Sequence, residues 1–261
     1  MDENELIEKQ LREIRNEVEQ QPLISTSDVL SDTCKLVQDF KDNEAFFRKV
    51  QTLVHHRTSI QYKAIRYIRR DGNCFYRGAT FQLFSLALQY PEFAAEVKRI
   101  FASYRDTLLR VFGEYVDDFY SVTCDIVDHI ISKKVDSVGS LLDEITSTDN
   151  QGYLIVFMRY MVSLYIREHK DEYLPFIMGM DYETVEAYCV AEVEALDHVS
   201  DNLQLAALAA LFQVQIQIET IDPSPTDSTC PLLLNESVSD NSKKYTLYFL
   251  FTPGHYDVLQ V

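Results

Sequence analysis

The sequence predicts an α+β protein in which helices fill the first 200 residues and a small sheet closes the chain. Apolar residues recur with a helical period over most of the N-terminal two-thirds, whereas the last third alternates apolar and polar residues as strands do. Seven glycines and seven prolines in 261 residues are roughly half of average usage. A chain so poor in turn-forming residues is not a many-stranded sandwich or barrel.

The segment at residues 3–21 is predicted to form an amphipathic helix that Pro22 ends. Its apolar residues make one narrow stripe, formed by Ile7, Leu11, Ile14 and Val18. Such a stripe suits a helix packed on its own domain or an arm that docks on a partner, and the residues alone leave both open. We expect residues 1–45 to form an N-terminal helical arm and residues 46–261 to form the main domain.

The middle of the chain is predicted to be helical, with extended chain near residues 62–68 and a turn at residues 175–179. The helix that starts at Cys74 is apolar almost all round, which is typical of a helix buried on most sides. The predicted helices cover residues 43–56, 74–90, 92–112, 114–133, 135–147, 151–168 and 182–196.

The C-terminal third predicts a small, mainly antiparallel sheet. A helix at residues 203–214 leads into a strand at 214–221, whose strict alternation predicts one exposed face. Residues 222–244, rich in Ser, Asp and Asn with three prolines, are predicted to be a loop. Strands at 245–251 and 255–261 then form the C-terminal hairpin.

The charge of the chain excludes whole classes of partner. With 41 acidic and 24 basic residues the net charge is −17. A chain with this much negative charge repels phosphate backbones and anionic membrane surfaces. We therefore expect no nucleic acid and no membrane as partner, and we expect another protein instead. Nothing in the sequence demands more than a monomer.

Five scattered cysteines without a CxxC pair do not make a disulfide framework or a zinc site. The N-terminus is acidic and has no apolar signal segment, so we expect the cytoplasm or the nucleus. The chain has no HExxH motif, no Gly-rich phosphate loop and no carboxylates at ligand spacing. We therefore expect neither a metal nor a cofactor.

Cys74 is the first candidate for chemistry. It follows the turn-forming residues Asp71, Gly72 and Asn73 and starts the buried helix. A helix N-terminus favours thiolate over thiol, and its N–H groups can hold a developing oxyanion. The alternative is an inert core cysteine, which most buried cysteines are.

His255 and Asp257 lie two residues apart on the last predicted strand, so they share a face about 7 Å apart. There Asp257 can orient one imidazole nitrogen toward a thiol, while Tyr256 packs on the other side. Alone, this pair would be an ordinary surface His near an Asp. With Cys74 it completes a nucleophile, a base and an orienting group. His198 is the one rival base.

The blocks Asp71-Gly-Asn-Cys-Phe-Tyr-Arg77 and Pro253-Gly-His-Tyr-Asp257 resemble the otubain branch of the ovarian-tumour cysteine deubiquitinases. The resemblance extends over most of the chain. It implies a papain-like α+β fold, an OTU catalytic domain at residues 46–261 and hydrolysis of isopeptide bonds in polyubiquitin, without a cofactor.

Carried over to this sequence, the resemblance makes Cys74 the nucleophile, His255 the general base and acid, and Asp257 its orienting group. Asp71 falls on the loop aspartate that braces the oxyanion-hole backbone. The family tends to favour the chain linkage associated with proteasomal targeting. Similar proteins use the N-terminal arm on the proximal ubiquitin or on a ubiquitin-conjugating enzyme.

The sequence departs from the family pattern in several places. Arg70 stands where relatives often have Pro, and Gly78 stands where they have Ala. Glycine at position 78 would loosen the helix by about 1 kcal/mol relative to alanine. Residues 201–204 lack the histidines expected for a ubiquitin contact. Two alternatives to the deubiquitinase remain: a non-catalytic binder that sequesters ubiquitin or a conjugating enzyme, and a papain-like enzyme acting on a ubiquitin-like modifier.

Overall fold

The computed structural model describes residues 3–229, 231–235 and 245–261, and it confirms the α+β class. Helices dominate up to residue 211. They are α1 (Glu3–Gln20), α2 (Lys35–Phe40), α3 (Glu44–Val54), α4 (Cys74–Gln89), α5 (Pro91–Phe112), α6 (Val116–Ile131), α7 (Val138–Ile145), α8 (Gln151–Glu168), α9 (Lys170–Met178), α10 (Val185–Tyr188), which continues as a π-helical turn (Cys189–Val193), and α11 (Asn202–Leu211).

One mixed sheet holds the strands, in the order β1-β2-β6-β5-β3-β4. They are β1 (Asp28–Val29), β2 (Ala64–Arg66), β3 (Gln215–Thr220), β4 (Leu232–Leu234), β5 (Thr246–Thr252) and β6 (His255–Gln260). The predicted C-terminal hairpin, β5–β6, lies at its centre. Neighbouring strands are antiparallel except β3 and β5, which run parallel, as the long connection between them permits.

The sheet is covered on both faces. One face packs on the main helical core, with Phe249 and Val258 pointing into it. The opposite face packs on α2 and α3, where Leu36, Leu53 and Leu250 belong to one apolar cluster. Side chains that alternate along β5 and β6 therefore enter two different apolar layers, and both layers are needed to hold the hairpin.

The prediction that β3 is half-exposed is wrong, because its polar face is buried as well. The carboxylate of Glu219 accepts hydrogen bonds from the Tyr62 hydroxyl at 2.9 Å and the Gln217 amide at 3.1 Å, and from Thr229. Polar residues here alternate because they bond to one another under α3, and not because they face water.

Two helices differ from the sequence prediction. The turn expected at Pro175–Gly179 is wrong, since Pro175 lies inside α9. Proline at the sixth residue of α9 removes one backbone hydrogen bond and crowds the carbonyl four residues earlier, yet the helix continues to Met178. Helix α2 is absent from the sequence prediction, and β4 lies inside the predicted loop at 222–244. Residues 230 and 236–244 of that loop lie outside the described residues.

The N-terminal helix α1 leaves its apolar stripe on the surface. Leu11 and Ile14 are each 56% exposed. Chain after the helix is packed: Ile24 forms a β-bridge with Ile68, and Leu30 belongs to the apolar layer beneath α3. The division between an arm at 1–45 and a catalytic domain at 46–261 stays a prediction. Across the described residues, no helix combines the length and the apolar character that a membrane crossing requires.

Helix α4 lies unusually close to the central hairpin, at Gly78. A Cβ added there would come within 2.9 Å of both the Phe249 ring and the Val258 methyl group. Both neighbours are buried in the core, where side chains are closely packed. The glycine that sequence analysis treats as a weak point of the helix therefore sets the distance between α4 and the strands.

We predict that Gly78→Ala lowers the free energy of unfolding by about 1 kcal/mol. Overpacking costs about 1–3 kcal/mol, which outweighs the gain of about 1 kcal/mol in helix propensity. Chemical denaturation measures the change. Gly152→Ala is the matched control, because that helical glycine has no neighbour within 4 Å and alanine should stabilise it. Equal stabilisation of both variants would contradict the packing argument.

Candidate active site

Cys74 is the first residue of α4 and follows a tight turn. Asp71 shapes the turn, since its Oδ1 accepts a hydrogen bond from the Asn73 N–H at 3.1 Å. Gly72 has φ +78°, and a Cβ there would lie 2.2 Å from the backbone of Asp197. A residue with a side chain would be strained and would collide, so the presentation of Cys74 requires glycine at this position.

The carboxylate of Asp71 is held in turn by Arg77, one helical turn after Cys74. Nη1 donates to Oδ1 at 2.8 Å, and Nη2 donates to Oδ2 at 2.7 Å. A bidentate pair of this kind fixes orientation as well as position. Asp71 therefore ties the turn before the thiol to the helix after it.

Strand β6 passes the start of α4 and brings a backbone N–H to the thiol. The Tyr256 N–H donates to the Sγ of Cys74 at 3.4 Å. The Tyr256 ring points away from the site, as predicted, and packs edge-on against Phe75 with centroids 5.7 Å apart. Together with the free N–H groups of the first helical turn, this donor places the sulfur in a positive electrostatic environment.

His255 and Asp257 share one face of β6, with Nε2 and Oδ1 2.9 Å apart. The same Oδ1 accepts the Ile68 N–H at 2.8 Å, which fixes the carboxylate to the neighbouring chain. Among the described residues, the buried Nδ1 of His255 has no hydrogen bond of ordinary geometry. The side chain of Cys74 also interacts with this imidazole and raises its pKa. The structure thus brings Cys74, His255 and Asp257 together.

The environment of His255 favours its protonated form. Burial lowers the pKa of the imidazole, but the hydrogen bond to Asp257 and the interaction with Cys74 raise it more, to about 9. At neutral pH the ring therefore carries a proton and a positive charge beside the sulfur.

The rival base, His198, makes a different contact. Its Nε2 lies 2.8 Å from Oε2 of Glu192, and its side chain is 47% exposed. Its backbone carbonyl, by contrast, faces inward and accepts a hydrogen bond from Arg159. The imidazole that faces the thiol belongs to His255.

Two further residues support the nucleophile loop and were not candidates from the sequence. Asn73 bonds to Asp197 across the site, with Nδ2 and Oδ1 2.8 Å apart. Arg159 of α8 also contacts this loop, and its side chain is fully buried. The available signal was one cation inside the apolar run at 153–166, although the run alone does not show which way that side chain points.

A thiol at a helix N-terminus, facing a His–Asp pair on a central strand of an α+β protein, defines a papain-like cysteine peptidase. The sequence also matches the family model described as Peptidase C65 Otubain over residues 16–261. The chain belongs to the otubain family of cysteine-type deubiquitinases.

Curated relatives agree with this assignment. Ubiquitin thioesterase OTUB1 of Homo sapiens is 30% identical over 257 residues, which is 98% of this chain and 90% of the relative. Ubiquitin thioesterase otubain-like of Caenorhabditis elegans is 30% identical over 99% of this chain and 88% of the relative. Human ubiquitin thioesterase OTUB2 is 27% identical over 87% of this chain and 92% of the relative.

Solved structures show the same fold. A complex of h/ceOTUB1 with ubiquitin aldehyde and UBC13~Ub contains a chain that matches with a TM-score of 0.81 and 26% identity, covering 98% of this chain and 97% of that one. A related complex of h/ceOTUB1 with ubiquitin aldehyde and UBCH5B~Ub matches with a TM-score of 0.78 at the same identity, covering 98% and 97%. The papain-like fold expected from the sequence is confirmed.

We predict that His255 titrates near pH 9 and that Asp257→Asn lowers its pKa by about one unit or more, because the raising carboxylate is lost. Since the folded pKa lies above the ordinary 6.5, the stability from this imidazolium is full below 6.5 and lost as pH rises through 9. NMR of the histidine ring measures the titration. Asp143→Asn, an exposed site on α7, should leave it unchanged. Titration of His255 at its ordinary value in wild type would refute this account.

Proposed function

We propose that this otubain hydrolyses the isopeptide bond between ubiquitin units, with Cys74 as the nucleophile, His255 as general base and acid, and Asp257 as the orienting group. The observation that carries the proposal is the buried set of these three side chains in a chain of this family. Asp71 supports the loop backbone next to the nucleophile through its bond to the Asn73 N–H.

In the proposed reaction the Cys74 thiolate attacks the carbonyl carbon of the ubiquitin C-terminal glycine. The N–H groups at the start of α4 stabilise the charge that develops on the carbonyl oxygen. As the C–N bond breaks, the His255 imidazolium gives its proton to the departing lysine amine. The neutral imidazole then takes a proton from water while the water oxygen attacks the thioester carbon. The C–S bond breaks, which restores the Cys74 thiolate and the His255 imidazolium and releases the ubiquitin carboxylate.

The partners of the solved relatives suggest the partners of this chain. Those complexes contain ubiquitin aldehyde and ubiquitin-conjugating enzymes joined to ubiquitin. We assign ubiquitin and polyubiquitin as substrates, and α1 as the segment that contacts the proximal ubiquitin or a conjugating enzyme. The exposed stripe with Leu11 and Ile14 supports this role. Gln21, directly after α1, lines the same small cavity as His255 and Asp257, so the helix joins the body close to the catalytic imidazole.

The preference for the proteasome-targeting linkage rests on the family resemblance. Asp201 caps α11 and accepts the Tyr188 hydroxyl, and the Gln204 side chain accepts the Tyr76 hydroxyl. These side chains are engaged inside the protein, so we assign linkage selection to the contact that we propose for α1 with the proximal ubiquitin. Cys34, Cys74, Cys124 and Cys189 are free thiols, which supports a reducing compartment, the cytoplasm or nucleus.

We predict that Cys74→Ser abolishes cleavage of di-ubiquitin but retains ubiquitin binding, because serine keeps the shape of the site without the thiolate. A gel assay of every linkage, with calorimetry for binding, measures both. Cys124→Ser, which replaces a half-buried free thiol elsewhere, should cleave normally.

Cleavage of one linkage by wild type alone supports both the reaction and the selectivity. Undiminished cleavage by Cys74→Ser would contradict the assigned nucleophile. If folded wild-type protein binds ubiquitin but cleaves no linkage, the non-catalytic binder becomes the better description.

We predict that deleting residues 1–20 weakens the proximal contact while leaving the fold intact, since the stripe of α1 faces outward. The KM for di-ubiquitin should rise severalfold, and the KM for ubiquitin carrying a small C-terminal fluorophore should not change. In the full chain, Ile14→Gln should act like the deletion, whereas Glu13→Gln serves as control. A marked loss of thermal stability on deletion would show that α1 belongs to the folded body instead.

A further inference from the structure

Arg159 is the largest fully buried side chain of the described residues, and it lies in the middle of α8. An arginine stays charged in a protein, and burying a charge without partners is very costly. Its position therefore requires a complete set of acceptors, and the identity of those acceptors shows what the residue does.

One set of acceptors belongs to the loop that presents Cys74. Nε and Nη2 of Arg159 donate to the Asn73 side-chain oxygen at 3.2 and 2.8 Å, and Nη2 also lies 3.2 Å from the Gly72 carbonyl oxygen. These are the two residues directly before the nucleophile. The guanidinium thus holds both a side chain and a backbone carbonyl of the turn.

The other set belongs to the segment from Val193 to His198, which follows the π-helical turn. Nη1 donates to the Val193 carbonyl at 3.0 Å, and Nη2 to the His198 carbonyl at 2.8 Å. Asn73 joins the two sets, because its Oδ1 also accepts the Asp197 N–H at 3.2 Å. Asp197 itself has φ +59°, a conformation that non-glycine residues rarely adopt without such support.

Arg159 also contacts the helix on the far side of the nucleophile. Its guanidinium carbon lies 4.6 Å from the ring centroid of Tyr76, two residues after Cys74. The Arg159 side chain therefore contacts the residues just before Cys74 and a residue just after it, although Arg159 itself lies on α8 in the core.

We infer that Arg159 is the positioning residue of the nucleophile: it fixes the 71–74 turn against the 193–198 segment so that the sulfur faces His255 and the Tyr256 N–H. The inference rests on the proposed function. Arg159 acts through Asn73 and the Gly72 backbone, and so it controls alignment for the reaction while ubiquitin binding elsewhere is untouched.

The planar guanidinium is essential to this role. It directs several donors in fixed directions toward four acceptors, whereas a lysine ammonium can satisfy only part of them from one position. Misplacement by about 1 Å can cost about a hundredfold in rate. Arg159→Lys keeps the charge and the long side chain but loses the fixed geometry.

Arg167 supplies a matched control, since it lies two turns later on α8 and holds the same neighbouring segment. Its Nη2 donates to Glu194 at 2.7 Å and its Nε to Ser163 at 3.1 Å. These contacts stabilise the segment without reaching the nucleophile loop. Arg167→Lys therefore reports the effect of losing an arginine fork from α8 in general.

The test compares kcat and KM of the two variants in full-length protein, with ubiquitin carrying a C-terminal fluorophore. We expect Arg159→Lys to lower kcat at least about tenfold with KM within about twofold, because transition-state alignment is lost and binding is kept. Arg167→Lys should change neither. A normal kcat for Arg159→Lys, or an equal loss in both variants, would overturn the inference.

A second measurement reads the thiol without ubiquitin. The rate of Cys74 alkylation by iodoacetamide is measured at one fixed pH, and the signal of Cys74→Ser is subtracted to remove the other thiols. In Arg159→Lys the rate should differ at least about twofold from that of wild type, because the sulfur leaves the Tyr256 N–H. An unchanged rate would contradict the positioning role even if the proposed ubiquitin hydrolysis failed in wild type.

If Arg159→Lys does not fold, Asn73→Ala decides the question. It removes the shared acceptor while leaving the carbonyl partners of Arg159 in place, so kcat should fall with KM preserved. Wild-type kinetics for a folded Asn73→Ala would overturn the inference.

Discussion

The close contact between α4 and the central hairpin is the constraint on which the rest of the structure depends. At Gly78 the helix backbone approaches Phe249 and Val258 so closely that no side chain fits between them. The helix carries the thiol at its first residue, and the hairpin carries the imidazole and its carboxylate. Because helix and strand are rigid over this distance, the packing of one glycine four residues after Cys74 sets where the sulfur lies relative to His255. The helical core packs on the outer side of α4, and the layer of α2 and α3 packs on the outer face of the hairpin. Both layers hold α4 against the hairpin.

The parts of the site that the sequence predicts are those encoded locally. Cys74 after a glycine turn, and His255 two residues from Asp257 on a strand, depend on neighbours in the chain, so turn chemistry and strand period locate them. Partners far apart in sequence are not encoded in this way. The alternation in β3 looks like a water-facing strand because Tyr62, which satisfies Glu219, is 157 residues away. The acceptors of Arg159 lie 34 to 87 residues from it, and only tertiary structure brings them together.

Buried polar groups occur where irregular chain must be fixed to regular elements. Arg159 does this for the nucleophile turn, and Lys49 of α3 does it for the chain after β3. The Lys49 ammonium bonds to the Asp222 carbonyl at 3.0 Å and to the Ser224 hydroxyl at 2.6 Å, and it helps to hold the pKa of the Asp222 carboxyl at about 2. Such groups contribute little net stability compared with apolar packing, but they select one conformation for a loop that has few apolar contacts of its own.

The hydrogen bond from the Tyr256 N–H to the sulfur of Cys74 is made by the backbone. Every residue except proline would retain this donor, so alanine scanning of β6 leaves the contact in place and reports only the loss of the Tyr256 ring from the core. Comparison of related sequences is equally uninformative, because a main-chain group leaves no residue preference behind. Its contribution to thiol chemistry is accessible to backbone editing, in which semisynthesis replaces the amide by an ester and removes a single hydrogen-bond donor while every side chain stays as it is.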